Sequence, residues 1–168
     1  ITYSSDFKGI VKTEIFTGTN LTTLTDYTYS NAKIATALIS LNSPNSSRGI
    51  PSFKFDFTHN AAGNINKMNL FYFNPISSAF EEESIVNFQF DDKKNPFEAA
   101  GDLMLIFWDY ANKNNIIRQE DKDINGDLLE LIETAYTYNG FNYPTKATVK
   151  ITEPGMAPVT SQLIFTYK

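Results

Sequence analysis

Along much of this chain, apolar and polar residues alternate. Phe53, Phe55 and Phe57 stand against Lys54, Asp56 and Thr58, and Val86, Phe88 and Phe90 stand against Asn87, Gln89 and Asp91. Ala147, Val149 and Ile151 stand against Lys146, Thr148 and Lys150, and Leu163, Phe165 and Tyr167 against Gln162 and Thr166. Successive side chains of a strand point to opposite faces, so each run predicts a strand with one apolar and one wet side. Six related units recur: five carry aromatic residues two apart, the first carries Ile1 before Tyr3, and a polar residue follows each. Their last rings fall at positions 3, 29, 57, 90, 138 and 167, with gaps of 26, 28, 33, 48 and 29. Asn, Asp, Ser and Gly supply the positive-φ positions and local side-chain bonds that a chain reversal needs, so each unit reads as strand, tight turn and return strand. A repeat of roughly 28 residues holds about two strands and two reversals.

The fold expected from this pattern is all-β: an antiparallel up-and-down meander of about ten or eleven strands. A sheet of that size curls, and joining its edges removes exposed hydrogen-bonding groups, so the meander is expected to be closed or nearly closed into a barrel, with the Tyr167 strand beside the Ile1 strand. The 48-residue gap breaks the rhythm. Within it Phe97, Ala100, Leu103, Met104, Phe107, Trp108 and Ala111 fall at helical spacing, which predicts one short helix near 97–111 capping an open end. A further strand at Leu103 to Trp108 is the alternative. The whole of 1–168 reads as a single domain of hairpin repeats.

Composition narrows the function. The 168 residues are 42% hydrophobic and rich in Phe (14) and Tyr (9), a bias that suits strands. A net charge of −5 without clustered Lys and Arg argues against nucleic acid as a partner. No cysteine is present, which excludes a disulfide framework and a thiolate zinc site. No apolar run approaches the ~20 residues of a membrane-spanning helix. The chain starts at Ile1 rather than Met, so any signal peptide or lipid-anchor segment is expected to have been removed.

Candidate chemistry is sparse. The lone histidine, His59, follows an alternating strand at the start of a turn and reads as structural, and no G-x-S-x-G elbow is present. Glu81, Glu82 and Glu83 are consecutive and cannot share one face, so they read as a solvated loop. Asp121-Lys122-Asp123-Ile124-Asn125-Gly126-Asp127 matches the opening of a calcium loop, yet Ile132 occupies the position of the required bidentate Glu. An Asn-Gly hairpin turn accounts for the same residues. No catalytic, cofactor-binding or metal-binding residue is assigned, and no cofactor is expected. A ligand site near Trp108 and Tyr110 is a further idea, resting on the habit of aromatic rings to stack on sugars.

The segments Phe57-Thr58-His59-Asn60-Ala61-Ala62-Gly63-Asn64-Ile65 and Tyr136-Thr137-Tyr138-Asn139-Gly140 resemble degenerate tyrosine–aspartate (YD, Rhs-type) repeats. Tyr136 through Lys146, with Lys94-Asn95-Pro96-Phe97 and Asn114-Asn115, resembles an uncharacterised group of secreted Gram-negative lipoprotein domains with a porin-like β fold. That resemblance implies export, residence in the periplasm or at the outer-membrane surface, and a lipid anchor. It brings no catalytic residues. Asn31-Ala32-Lys33 lacks the glycine of the repeat, so the first hairpin is expected to turn differently. The functional expectation is a non-enzymatic, monomeric extracytoplasmic domain binding a glycan, a small ligand or a protein partner. The alternative is a membrane-spanning or ligand-carrying barrel.

Overall fold

A computed structural model describes residues 1–3, 9–42, 49–98 and 112–167. Eleven strands run in chain order: β1 (Thr2–Tyr3), β2 (Ile10–Thr17), β3 (Asn20–Ser30), β4 (Lys33–Leu41), β5 (Ile50–His59), β6 (Ile65–Asn74), β7 (Ala79–Lys94), β8 (Asn114–Asp123), β9 (Leu128–Tyr138), β10 (Pro144–Thr152) and β11 (Val159–Ile164). They form one antiparallel sheet in which sequence neighbours are spatial neighbours, so the predicted meander is the fold. The order starts at β1 and ends at β11 without a β1–β11 pairing, so the sheet is not closed into a barrel. Two residues of β1 and six of β11 form its edges. The helix expected near 97–111, together with Trp108 and Tyr110, lies outside the described residues apart from Phe97 and Glu98. Glu81, Glu82 and Glu83 belong to β7 rather than to a loop.

Three reversals share one construction. At Asn60, Asp123 and Asn139 the backbone N–H donates to the carbonyl four residues on, at 2.9 Å in each case. The carbonyl of the same residue accepts from the N–H three residues on, and its side-chain oxygen accepts two backbone N–H groups, at Asn60 sharing that of Gly63 with the carbonyl. The residue at the fourth place is left-handed in all three: Gly63 (φ 98), Gly126 (φ 88) and Asn142 (φ 65). Glycine, or asparagine with its short polar side chain, tolerates that conformation. In the Tyr136–Tyr138 unit the left-handed place therefore falls on Asn142 rather than on Gly140. Asn31 (φ 51) and Ala32 (φ 60) instead make a two-residue turn between the paired Ser30 and Lys33, so the first hairpin does turn differently.

The chain divides into two compact units: unit 1 is Ile1–Thr58 with Met68–Glu83, and unit 2 is His59–Lys67 with Ser84–Lys168. In unit 1 the buried apolar residues are Ile10, Tyr27, Ile34 and Ala37, accompanied by buried Thr13, Thr25 and Ser40. The Tyr29 hydroxyl donates to the Ile10 carbonyl at 3.0 Å, laying its ring over Gly9. A Cβ on Gly9 would meet that ring at 2.6 Å, so only glycine fits beneath it. In unit 2, Ile65, Val86 and Ala147 are buried together with Asn64, Ser84, Asn95, Asn112 and Asn115. The paired aromatics do share a face, with the Phe55 and Phe57 rings 6.5 Å apart and the Tyr136 and Tyr138 rings 5.9 Å apart. Among the rings of the described residues, Tyr27 alone counts among the buried apolar residues, so the described aromatic side of the sheet is half-covered rather than dry.

Candidate functional site

Register builds a cleft on one face of unit 2. Gln119 opposes Ile132, Thr134 opposes Val149, and Ala147 opposes both Tyr136 and Leu163. Directly opposed residues point the same way, so β8, β9, β10 and β11 place Gln119, Ile132, Thr134, Tyr136, Val149 and Leu163 on one floor. Asn95, Pro96, Phe97, Asn115 and Ile116 line one margin, and Ile164 and Phe165 the other. The cleft encloses about 540 Å³. Apolar side chains dominate it, three of them the rings of Phe97, Tyr136 and Phe165, and the amides of Gln119, Asn95 and Asn115 with the Thr134 hydroxyl bring polar groups to its surface.

The Asn95 and Asn115 margin is fixed by a knot of asparagines. Asn64, 1% exposed, accepts the N–H of Lys113 (2.7 Å) and of Asn114 (3.2 Å) on its side-chain oxygen and donates to the Asn114 side chain at 2.9 Å. The Asn112 side chain accepts the Ile65 N–H at 2.7 Å, while the Asn95 amide donates to the Asn112 carbonyl at 2.7 Å. The Asn114 amide reaches the Lys93 carbonyl at 2.9 Å, and the Asn115 amide reaches the Lys94 carbonyl and Asp91, each at 3.2 Å. Buried polar groups are tolerated only when bonded, and here each one closes another. The consequence is that the chain leaving β7 at Asn95 and the chain entering β8 at Asn112 are pinned side by side, which sets Pro96 and Phe97 at the mouth of the cleft. From sequence, Asn112, Asn114 and Asn115 read only as the Asn-rich stretch following the expected helix; the legible signal was their concentration inside the 48-residue gap.

The Tyr138 hydroxyl donates to the Asp91 carboxylate beside this knot. Burial first, then the bond and the nearby charge of Asp91, push the Tyr138 hydroxyl well above the usual tyrosine range. Tyr167, whose hydroxyl donates to the Pro144 carbonyl at 2.6 Å, is likewise raised by burial and by Tyr143.

The remaining candidates are not brought together into a catalytic group. His59 is the last residue of β5, half-buried and adjacent to the Asn60 turn. Asp123 spends its carboxylate on its own turn, accepting the N–H of Asn125 and of Asp127 at 2.9 Å and the Asn125 amide at 3.0 Å, and these bonds lower its pKa. Asp121 lies two residues earlier on the same strand, opposite Glu130. Burial raises both carboxyls, and one Asp121 oxygen is buried without a hydrogen-bond partner. Among the described residues no group of three or more His, Asp or Glu is placed to hold a metal ion. Glu81 accepts from the Tyr72 hydroxyl (2.5 Å), the Asn74 amide (2.7 Å) and the Ser77 hydroxyl (2.9 Å), so it staples a hairpin rather than forming an acid–base pair with Glu82 or Glu83.

No family model and no curated protein matches the chain. Among solved structures, a porin-like protein from Bacteroides vulgatus is similar over 92% of this chain and 71% of its own, at 9% identity and a TM-score of 0.58. A protein of unknown function from Bacteroides fragilis is similar over 85% of this chain and 91% of its own, at 10% identity and a TM-score of 0.52. A DUF3836 family protein from Parabacteroides distasonis matches over 78% of this chain and 89% of its own at 12% identity, with a TM-score of 0.41. At these identities the likeness to the first two is one of fold alone.

Proposed function

We propose that this chain is a non-enzymatic β domain of the cell envelope that binds a small amphiphilic molecule in the cleft of unit 2. The observation that carries the reading is the composition of that cleft: an aliphatic floor of Ile132, Val149 and Leu163 with a few polar groups gathered around it. Small-molecule sites have this make-up, apolar over most of their lining with a small number of orienting polar groups. Sugar recognition relies on exposed planar rings; in the cleft the three rings, Phe97, Tyr136 and Phe165, are outnumbered by the branched chains of Ile116, Ile132, Val149, Leu163 and Ile164, which favours an apolar body with one polar end over a glycan. Envelope residence is favoured by the fold likeness to the porin-like protein; it, and a lipid anchor, are checked by fractionating cells that express the full-length gene product.

The cleft is tested with N-phenyl-1-naphthylamine, an uncharged aromatic probe whose fluorescence rises on leaving water. The wild-type protein should bind it saturably at one site. Leu163→Asp, at a half-exposed floor position, should weaken binding at least tenfold, which corresponds to about 1.4 kcal/mol. Phe141→Asp, at an exposed turn outside the cleft, should leave binding unchanged. Absence of saturable binding, or equal losses in both variants, overturns the proposal.

A further inference from the structure

In unit 2 the open sheet ends at β11, and among the described residues only β10 pairs with that strand. The register runs unbroken from Lys146 opposite Ile164 to Ile151 opposite Val159, and the Phe165 N–H continues it by donating to the Thr145 carbonyl at 3.0 Å. In an antiparallel pair, the main-chain groups of successive residues turn alternately toward and away from the neighbouring strand. Val159, Ser161, Leu163 and Phe165 therefore turn theirs to β10, and Thr160, Gln162 and Ile164 turn theirs outward. Native proteins blunt such an edge with Lys, Pro, a bulge or a covering segment. Val159–Ile164 contains neither Lys nor Pro and no register shift, and 154–167 holds no Asp, Glu, Lys or Arg. All six residues of β11 are exposed, Val159 at 64%, Leu163 at 50% and Ile164 at 81%.

The strand is complementary to itself. A twofold axis perpendicular to the sheet sets two copies of β11 antiparallel and keeps each face on its own side. With Ser161 on that axis, Val159 opposes Leu163 of the second copy, Thr160 opposes Gln162, and Ser161 opposes Ser161. Apolar meets apolar and polar meets polar. The outward main-chain groups of Thr160 and Gln162 then face each other as hydrogen-bonded pairs. Ser161 and the Val159–Leu163 pairs fall at the alternate sites, where opposed side chains come closer. Sliding the two strands by two residues sets Ser161 against Leu163 one way and against Val159 the other, and the match is lost. Charge agrees with this pairing: the chain carries a net −5, yet the strip is uncharged, so two copies meet there without opposed like charges.

We infer that two copies of this chain join edge to edge at β11, antiparallel about Ser161, into one continuous sheet. This departs from the monomer expected from sequence, and it does not depend on what the cleft binds. The wild type should sediment at twice the 19.0 kDa of one chain and dissociate on dilution. Gln162→Pro removes one outward N–H and leaves the β10 ladder intact, since proline is accepted on an edge strand whose N–H faces solvent. That variant should sediment as a monomer with an unchanged far-ultraviolet circular dichroism spectrum. Gln162 faces away from the cleft, so the variant should bind N-phenyl-1-naphthylamine as the wild type does, and dimer and probe site are read separately. The chain contains no cysteine, so single thiols report the register and serve as the readout if Gln162→Pro unfolds. Ser161→Cys sets two Cα atoms about 4.5 Å apart across the axis, within the ~4.4–6.8 Å that a disulfide spans, and mild oxidation should capture a covalent dimer. Thr160→Cys, whose two copies lie diagonally and beyond that span, should crosslink about tenfold more slowly. A monomeric wild type at its highest soluble concentration, a dimer that survives Gln162→Pro in a folded chain, or equal crosslinking from positions 160 and 161 would each overturn the inference, the first leaving the edge to a strand of another protein.

Discussion

In unit 2, Asn64, Asn95, Asn112 and Asn115 are buried, whereas in unit 1 Phe16, Ile50 and Ile76 stand in water. Both regions invert the usual placement of polar and apolar residues, and the inversions differ in kind. The buried amides carry their compensation with them: each donor or acceptor meets a backbone or side-chain partner within unit 2. The exposed side chains at the hairpin tips have no compensation inside the fold, because apolar surface in water gains nothing from being held in place. One region is explained by the molecule alone, and the other points beyond it.

The sharpest way to break this comparison is to remove one member of each set. Asn64→Ala strands the N–H groups of Lys113 and Asn114 and the side-chain oxygen of Asn114. A stranded group costs about 1–3 kcal/mol where water cannot reach it; Lys113 is exposed and Asn114 only half-buried, so water recovers part of the three losses and the variant should lose roughly 2–4 kcal/mol in denaturant unfolding. Ile76→Ser, at a position 95% exposed, should stay within about 0.5 kcal/mol of the wild type. Similar losses in the two variants would remove the distinction.

A narrower effect isolates the polar region by pH. The Tyr138 hydroxyl is raised above its unfolded value of about 10 by burial and by Asp91. The folded state therefore favours the protonated phenol, and this contribution is fully present below about pH 10 and is lost as pH rises through the folded value. Unfolding followed from pH 8 upward should show stability declining above about pH 10, with a slope below the ~1.4 kcal/mol per pH unit that one fully shifted group would give, because Tyr138 is only partly desolvated. Tyr138→Phe should flatten part of that decline, leaving the share due to Tyr72 and Tyr167, which are also raised. An unchanged alkaline slope in the variant would show that Tyr138 does not couple to folding.

The strands were legible because local chemistry specifies them: rings two apart, then an Asx residue whose side chain caps its own turn. Asn60 and Asn139 announced their hairpins from a few residues of sequence, and Asp123 did so once a turn was preferred to a metal loop. The asparagine knot was not legible, since Asn64 meets Lys113 and Asn114 across about 50 residues of chain and no periodicity records a contact of that separation. Glu81, Glu82 and Glu83 were taken for a loop because three like charges hide the alternation of a strand, which Glu81 restores by turning to Tyr72 and Asn74. Closure likewise depended on edges rather than pattern: nothing in Thr2–Tyr3 or Val159–Ile164 encodes whether the two should pair. The cleft emerges only once register aligns Ile132, Val149 and Leu163, which belong to three different strands.

The smallest effect separates turns held by side chains from one held by backbone alone. At Asn60, Asp123 and Asn139 a side-chain oxygen captures two N–H groups, and the left-handed place falls to Gly or Asn. The Asn31–Ala32 turn asks an alanine to hold φ at 60°. An L-residue with a Cβ pays roughly 1–2 kcal/mol in that region, against about 0.5–1 kcal/mol of added chain entropy when glycine takes its place. Ala32→Gly should therefore stabilise unit 1 by about 0.5–1 kcal/mol in thermal unfolding, whereas Asn31→Gly should gain less, because asparagine already tolerates the left-handed region. A loss of stability in Ala32→Gly would mean that the methyl group of Ala32 makes packing contacts worth more than the strain it imposes, and the first hairpin would then join the turns that side chains hold.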